Sequence, residues 1–273
     1  MMWSLAASAA VLALAPAAPA AAQTADAPLR PFCPDRPGKG DSTCVMDQGH
    51  VQVEVGLFDT ARQDDDATRA ESWAAGTVVV RYGVGPSTEV QAGFSTWQRD
   101  KVTDRSTGLT QRAEGLGDLF LAVRHGFVRP DGGGTGLAVT AFATLPTGGE
   151  EVRVSGVEGG LALPVAVDLG GDWGLGVSPI VEYVRDGDGE GSHGAWSLVV
   201  GLGRPVGDWS LGAEVWVSRD DDPLGASTQA TFDLLAAWSP PFMTDAQLDF
   251  GLNLGLNDDS PDLEFGIGIA RRF

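Results

Sequence analysis

The feature that most limits what this chain can fold into is a period of two in its apolar residues, sustained over most of its length. In QLDFGLNLGL, residues 247–256, Leu248, Phe250, Leu252, Leu254 and Leu256 alternate with Gln247, Asp249, Gly251, Asn253 and Gly255. After a break at 257–261 the pattern resumes with Leu263, Phe265, Ile267 and Ile269 and reaches Phe273. Successive side chains of a strand point to opposite faces, so this is strand with one apolar face. Alternation alone permits a soluble barrel or one whose apolar face meets lipid.

Twelve stretches read as strands, at about 49–59, 72–83, 87–98, 116–127, 135–145, 157–169, 173–185, 194–204, 208–218, 228–239, 245–256 and 262–273. Each spans the roughly 9–11 residues that a tilted strand needs to cross a bilayer. Their connections alternate in kind. GVGP, RPDGGG, GGD, PVGD and PPFMT are short, whereas ARQDDDATRA, QRDKVTDRSTGLTQR, PTGGEEVRVS, RDGDGEGSH, RDDDPLGAS and NDDSP are longer and mostly acidic. Tight turns at one end and long loops at the other are the mark of an outer-membrane barrel.

Parity agrees. Val51, Val53 and Val55 oppose Gln52 and Glu54, and Phe232, Leu234 and Ala236 oppose Thr231 and Asp233. Ionisable groups in mid-strand suit a wet lumen better than a small dry core. Tyr82, Phe127, Trp173, Trp209, Trp238 and Phe273 fall near one set of strand ends and Trp73, Trp97, Tyr183 and Trp196 near the other, as interfacial girdles do. Trp73, Trp97 and Phe142 sit off the outward parity, which calls for bulges or inward packing. The expected fold is all-β: an antiparallel up-and-down transmembrane β-barrel of about twelve strands over residues 49–273.

Residues 2–22, MWSLAASAAVLALAPAAPAAA, resemble a signal peptide closing on a small-residue site, although no Lys or Arg precedes the apolar run. Residues 23–48 are expected to form a periplasmic segment ahead of the barrel. Within it Cys33 and Cys44, an even count in an exported chain, read as one disulfide, since only His50 is near enough in sequence to extend a metal site. No later run approaches the roughly 20 apolar residues of a membrane helix. A net charge of −19 without a basic cluster argues against nucleic acid as a partner.

By parity Glu54, Arg81, Glu89, Gln91, Asp118, Arg124, Glu214, Asp233, Asp249, Asn253, Glu264 and Arg272 line the lumen, with Asp168 and Glu182 on the same faces. Acidic groups exceed basic ones, so an open lumen would favour cations or neutral solutes. The alternative is an ion-pair network that closes a narrow barrel, and twelve strands allow either. Pro164 and Pro179, in adjacent strands, remove ladder donors and mark a candidate lateral gap.

Enzyme chemistry has little footing. The histidines are His50, His125 and His193, and Ser192 beside His193 points to the opposite strand face. Neither a G-x-S-x-G nor an H-E-x-x-H motif occurs. DGDGEG at 186–191 matches the start of a calcium loop, but Ser197 stands where that loop needs its distal Glu. No cofactor or metal site is expected.

CPDRP at 33–37, HVQVEVGLFD at 50–59, GLGDLFLAVRHGF at 115–127, AVTAFATLPTG at 138–148 and the last 27 residues together resemble the transporter-like outer-membrane barrels grouped as meta-pathway of phenol degradation proteins. The resemblance covers most of the chain after residue 22. It implies an outer-membrane location and passage of small, often hydrophobic or aromatic, molecules. Phe273, with apolar residues at alternate positions before it, resembles the signal read by the barrel-assembly machinery. The expected partners are therefore outer-membrane lipid and lipopolysaccharide, that machinery and a small solute. The rival readings are a barrel enzyme acting on lipid and a structural surface barrel without transport.

Overall fold

The computed structural model describes residues 28–129 and 134–273; the signal peptide expected over 1–22 lies outside the described residues. The strands are β1 (Val51–Asp64), β2 (Thr68–Gly85), β3 (Thr88–Asp104), β4 (Thr110–Gly115), β5 (Leu119–Val128), β6 (Gly136–Leu145), β7 (Glu158–Ala162), β8 (Val165–Gly170), β9 (Trp173–Arg185), β10 (Ser192–Val206), β11 (Trp209–Asp220), β12 (Ser227–Trp238), β13 (Ala246–Gly255) and β14 (Leu263–Arg272). All pairings between them are antiparallel, and β1 closes the ring against β14. Two wall positions come in two pieces, since β4 and β5 both pair with β3, and β7 and β8 both lie between β6 and β9. Fourteen elements thus make the expected twelve-stranded closed barrel.

The turns explain the register. Gly171 and Asp172 both take positive φ between β8 and β9, which is what a two-residue hairpin following the strand twist requires. At the same end the chain closes on itself, with the Phe273 amide donating to the Val51 carbonyl at 2.8 Å. At the opposite end several expected loops are partly strand. Residues 98–103 pair with 110–115, and β1 and β2 continue their ladder to Asp64 and Arg69. These extensions rise beyond the bilayer, where both faces meet water. The apolar alternation therefore stops although the ladder does not.

The usual distribution of polarity is inverted. The largest fully buried side chains include Arg81, Arg124, Gln52, Glu89, Asp233 and Asp249, while Val90, Leu121, Val181, Leu202, Leu234 and Phe265 are exposed. Water-facing apolar side chains in such number would be untenable; a lipid-facing belt around a polar interior accounts for them. Trp209 stacks on Trp238 with ring centroids 6.3 Å apart at the short-turn end, as an interfacial girdle residue would.

The aromatics that broke parity have separate causes. The β1 register shifts between Gly56 and Phe58, and Gly76 on β2 has a φ of +62°. A bulge exchanges the faces of a strand, and beyond these two irregularities Ser72, Ala74, Gln98 and Asp100 line an inner cavity together with Trp73, while the Arg99 guanidinium lies 5.2 Å from the centroid of the Trp97 ring. Phe142 packs inward beside Phe120, with centroids 6.0 Å apart, over Gly160, where a Cβ would lie 2.7 Å from the Phe142 ring.

Pro164 and Pro179 do not open the wall. Register is unbroken across them, from Ala162 opposite Ile180 to Val165 opposite Val177. The Leu163 amide donates to the Pro179 carbonyl at 3.0 Å, and the Ala138 amide to the Pro164 carbonyl at 3.1 Å. The prolines interrupt β7 and β8 as a local distortion, because a proline withholds its own donor but keeps its acceptor.

Candidate functional site

The lumen is occupied by the chain's own N-terminal segment, which was expected ahead of the barrel. A disulfide joins Cys33 to Cys44, and the loop it closes enters from the short-turn end. What draws it in is the wall's charge. Arg81, fully buried on β2, donates to the carbonyls of Cys33 at 3.0 Å and Cys44 at 3.3 Å, and also to Glu89 at 2.9 Å and Glu54 at 3.0 Å. Arg124 on β5 grips Asp35 through two bonds and reaches the Ser42 hydroxyl at 3.2 Å. Glu54 accepts the amides of Asp35 and Arg36, and Glu89 accepts that of Met46 at 2.7 Å. Gln52 and Gln91 donate to Glu54 and Glu89 and hold those carboxylates in place.

Further in, Arg36 bridges Asp249 at 3.1 Å and Asp59 at 3.2 Å, and the Gln247 amide donates to the Arg36 carbonyl. The Lys39 ammonium meets Glu264 at 2.5 Å and the Thr231 hydroxyl at 3.3 Å, and lies 4.3 Å from the centroid of the Trp216 ring. The Lys39 amide donates to Glu214 at 3.0 Å, and Asn253 donates to Glu264 at 2.8 Å. At the mouth, Arg272 donates to Asp245 at 2.9 Å and to the Arg30 carbonyl at 2.7 Å. Buried charges at this density are tolerated because nearly all have partners.

Of the residues expected to line the lumen, Asp118 stands apart. Its carboxylate accepts the amides of Thr147, Gly148 and Val154 at 2.7 to 2.8 Å, so it fastens the loop after β6 to the break between β4 and β5. Asp168 likewise bonds its own hairpin, accepting the Gly170 amide. Sequence reading missed Asp35, Arg36, Lys39 and Asp41 because an irregular loop has no period. The available signal was their alternation of charge inside CPDRPGKGDSTC, opposite a wall rich in both signs.

Among the described residues two cavities border the segment. One of about 380 Å³ lies on the long-loop side of the segment, walled by Arg36, Lys39, Asp59, Ser72, Asp100, Asn253 and Glu264. Another of about 200 Å³ lies on the short-turn side, between Gly40–Asp41 and the wall positions Gly174, Gly176, Gly201, Gly203, Gly212 and Glu214. These glycines matter for what they omit: a Cβ at Gly174 or Gly176 would meet nothing within 4 Å. In its short-turn half the barrel interior is packed with long side chains on the β1–β5 side, among them Gln52, Arg81, Glu89 and Arg124, and left open on the β9–β11 side.

Among the described residues no group of three or more His, Cys, Asp or Glu side chains is arranged to hold a metal ion. Both ring nitrogens of His193 face carboxylates, Asp186 at 2.8 Å and Asp220 at 2.5 Å, so the ring is not free to serve Ser192, whose hydroxyl accepts from Arg185. The Asp186 bond raises the His193 pKa, desolvation opposes it and Asp220 adds to the rise.

Residues 34–273 match the model of the family described as "Putative MetA-pathway of phenol degradation". The chain belongs to this family. Among solved structures the fold is similar to an outer-membrane channel from Pseudomonas putida F1, at 15% identity and a TM-score of 0.68, covering 87% of this chain and 99% of that one. It is also similar to the beta domain of the Bordetella autotransporter BrkA, at 14% identity and 0.56, covering 83% and 100%. The NanC porin follows at 8% and 0.50, covering 81% and 98%. A search of curated proteins by sequence finds no match. At these identities the likenesses establish the fold, that of a bacterial outer-membrane barrel, which the apolar belt and polar interior of this family member require independently.

Proposed function

We propose that the protein is an outer-membrane channel through which small molecules diffuse, with the N-terminal segment narrowing the lumen to a side passage. Solutes enter the larger cavity from the long-loop side, pass Lys39 and Gly40, and leave along the glycine-lined groove of β9–β11. The observation that carries this reading is that groove: three neighbouring strands present glycines beside Gly40 and Asp41, where the facing wall carries Arg81, Glu89 and Arg124. Family membership supports small hydrophobic or aromatic molecules as the solute class, and the uneven count of carboxylates supports neutral or cationic ones. The apolar outer wall contacts outer-membrane lipid, and the acidic strand ends at the long-loop side face lipopolysaccharide. Phe273, exposed on the closing strand with its ring 5.1 Å from the Arg271 guanidinium, serves as the assembly signal.

The test is reconstitution of the mature chain in planar bilayers. Discrete steps with a cation preference are expected. A folded, heat-modifiable barrel that passes no current and takes up no solute in liposome swelling would leave a structural surface barrel as the better reading.

A further inference from the structure

The Lys39 ammonium is held as a ligand would be. A carboxylate oxygen of Glu264 lies 2.5 Å away, the Thr231 hydroxyl 3.3 Å, and the centroid of the Trp216 ring 4.3 Å. A cation over an indole face beside carboxylates is the arrangement by which proteins recognise organic ammonium groups. The site also has more negative charge than Lys39 neutralises. Glu214, Asp233 and Glu264 lie on three strands at one level, with Asn253 between the last two. Asp233 is fully buried, and neither of its oxygens has a hydrogen-bond partner among the described residues. A buried carboxylate without a partner is costly, and a second cation arriving beside it is stabilised.

The position fits a passage. Lys39, Asn253 and Glu264 wall the outer cavity, and Glu214 with Gly40 walls the inner groove. The cage thus stands between the two cavities.

We propose that the Trp216–Glu214–Asp233–Glu264 cage is a solute subsite for primary alkylammonium groups, which Lys39 occupies as an internal surrogate. The proposal rests on the channel reading and narrows its solutes to small amines, aromatic ones included. An incoming ammonium displaces the Lys39 side chain, while the Lys39 amide stays bonded to Glu214 and the segment keeps its place. Because the described residues gather no metal-sized set of ligands here, the cage suits a larger organic cation better than a bare ion.

Calorimetric titration of the detergent-solubilised mature protein at low ionic strength tests this, with n-butylammonium chloride as probe and 1-butanol, potassium chloride and calcium chloride as comparisons. Wild type is expected to bind n-butylammonium and not 1-butanol. Lys39→Met removes the competitor and is expected to tighten binding about tenfold, the release of an occupied site. Asp233→Asn is expected to weaken it, and Glu264→Gln gives the same reading if that variant does not fold. Equal binding of 1-butanol, equal competition by potassium or calcium, or no gain from Lys39→Met overturns the cage. Conductance of the same samples separates the two readings: a protein that conducts without binding the amine loses only the cage, and one that binds without conducting loses the channel.

Discussion

Arg124 on β5 and Asp35 in the N-terminal segment, 89 residues apart in sequence, meet through two parallel bonds of 3.1 and 2.9 Å. A guanidinium and a carboxylate matched in this way fix orientation as well as distance. This pair helps to hold an irregular segment against the inner wall of the barrel.

Asp35→Ala should therefore loosen the segment before it harms the barrel. Arg124 would keep Ser42, Thr140 and, at 3.5 Å, Glu89, so the expected loss is about 2 kcal/mol of resistance to unfolding. Single-channel conductance should rise and become noisier. An unchanged conductance with an intact fold would mean that the segment does not limit the passage.

The disulfide makes a second, separable prediction. It closes the loop whose tip, Arg36 to Asp41, stands between the two cavities. Cys33→Ser with Cys44→Ser should release the tip at a cost of about 2–3 kcal/mol, since a short closed loop loses modest chain entropy. Dithiothreitol added from the short-turn side should reproduce the conductance change in wild type and have no effect on the double variant.

The wall was legible in the sequence because burial against lipid imposes a period of two. That period predicted the strand count, and Glu54, Arg81 and Asp249, assigned to the non-apolar face, are buried. It could not show where the period slips. The bulge at Leu57 and the positive φ of Gly76 leave no trace in composition, so Trp73 and Trp97 read as anomalies. Asp118 passed for a lumen charge because parity ignores partners, and its three amide donors come from a loop 29 to 36 residues away. Lys39 and Trp216 lie 177 positions apart and become one site only when the segment is inside the barrel.

Asp118 should behave as a loop anchor. Asp118→Ala strands three amide donors, each bonded to a charged acceptor, and should expose residues 147–154 to protease while leaving the barrel heat-modifiable. Cation preference in bilayers should barely move. A large drop in that preference would restore Asp118 to the lumen.

At the long-loop end His193 gives a pH dependence. Its hydrogen bond to Asp186 raises its pKa above the ordinary value near 6.5, with Asp220 adding to the effect. A raised folded pKa means that protonation favours the folded loop. The clasp between the Asp186–Gly191 turn and the end of β11 is then fully present below about 6.5 and lost as pH rises through the raised value. Hydrogen exchange of residues 186–191 should accelerate over that interval, and His193→Gln should exchange fast at every pH.

The groove itself is tested by filling it. Gly176 on β9 pairs with Gly201 on β10, and a Cβ at Gly176 meets nothing within 4 Å, so the backbone accepts a larger residue there without strain from its neighbours. Gly176→Trp places an indole across a cavity of about 200 Å³ and should lower conductance several-fold while folding as wild type does. The same substitution at Gly201 is a poor probe, because a Cβ there would lie 2.7 Å from Glu214 and disturb the cage. If Gly176→Trp conducts as wild type does, solutes leave by another side of the segment. The β1–β5 side, closed by Arg81, Glu89 and Arg124, would then have to open during passage.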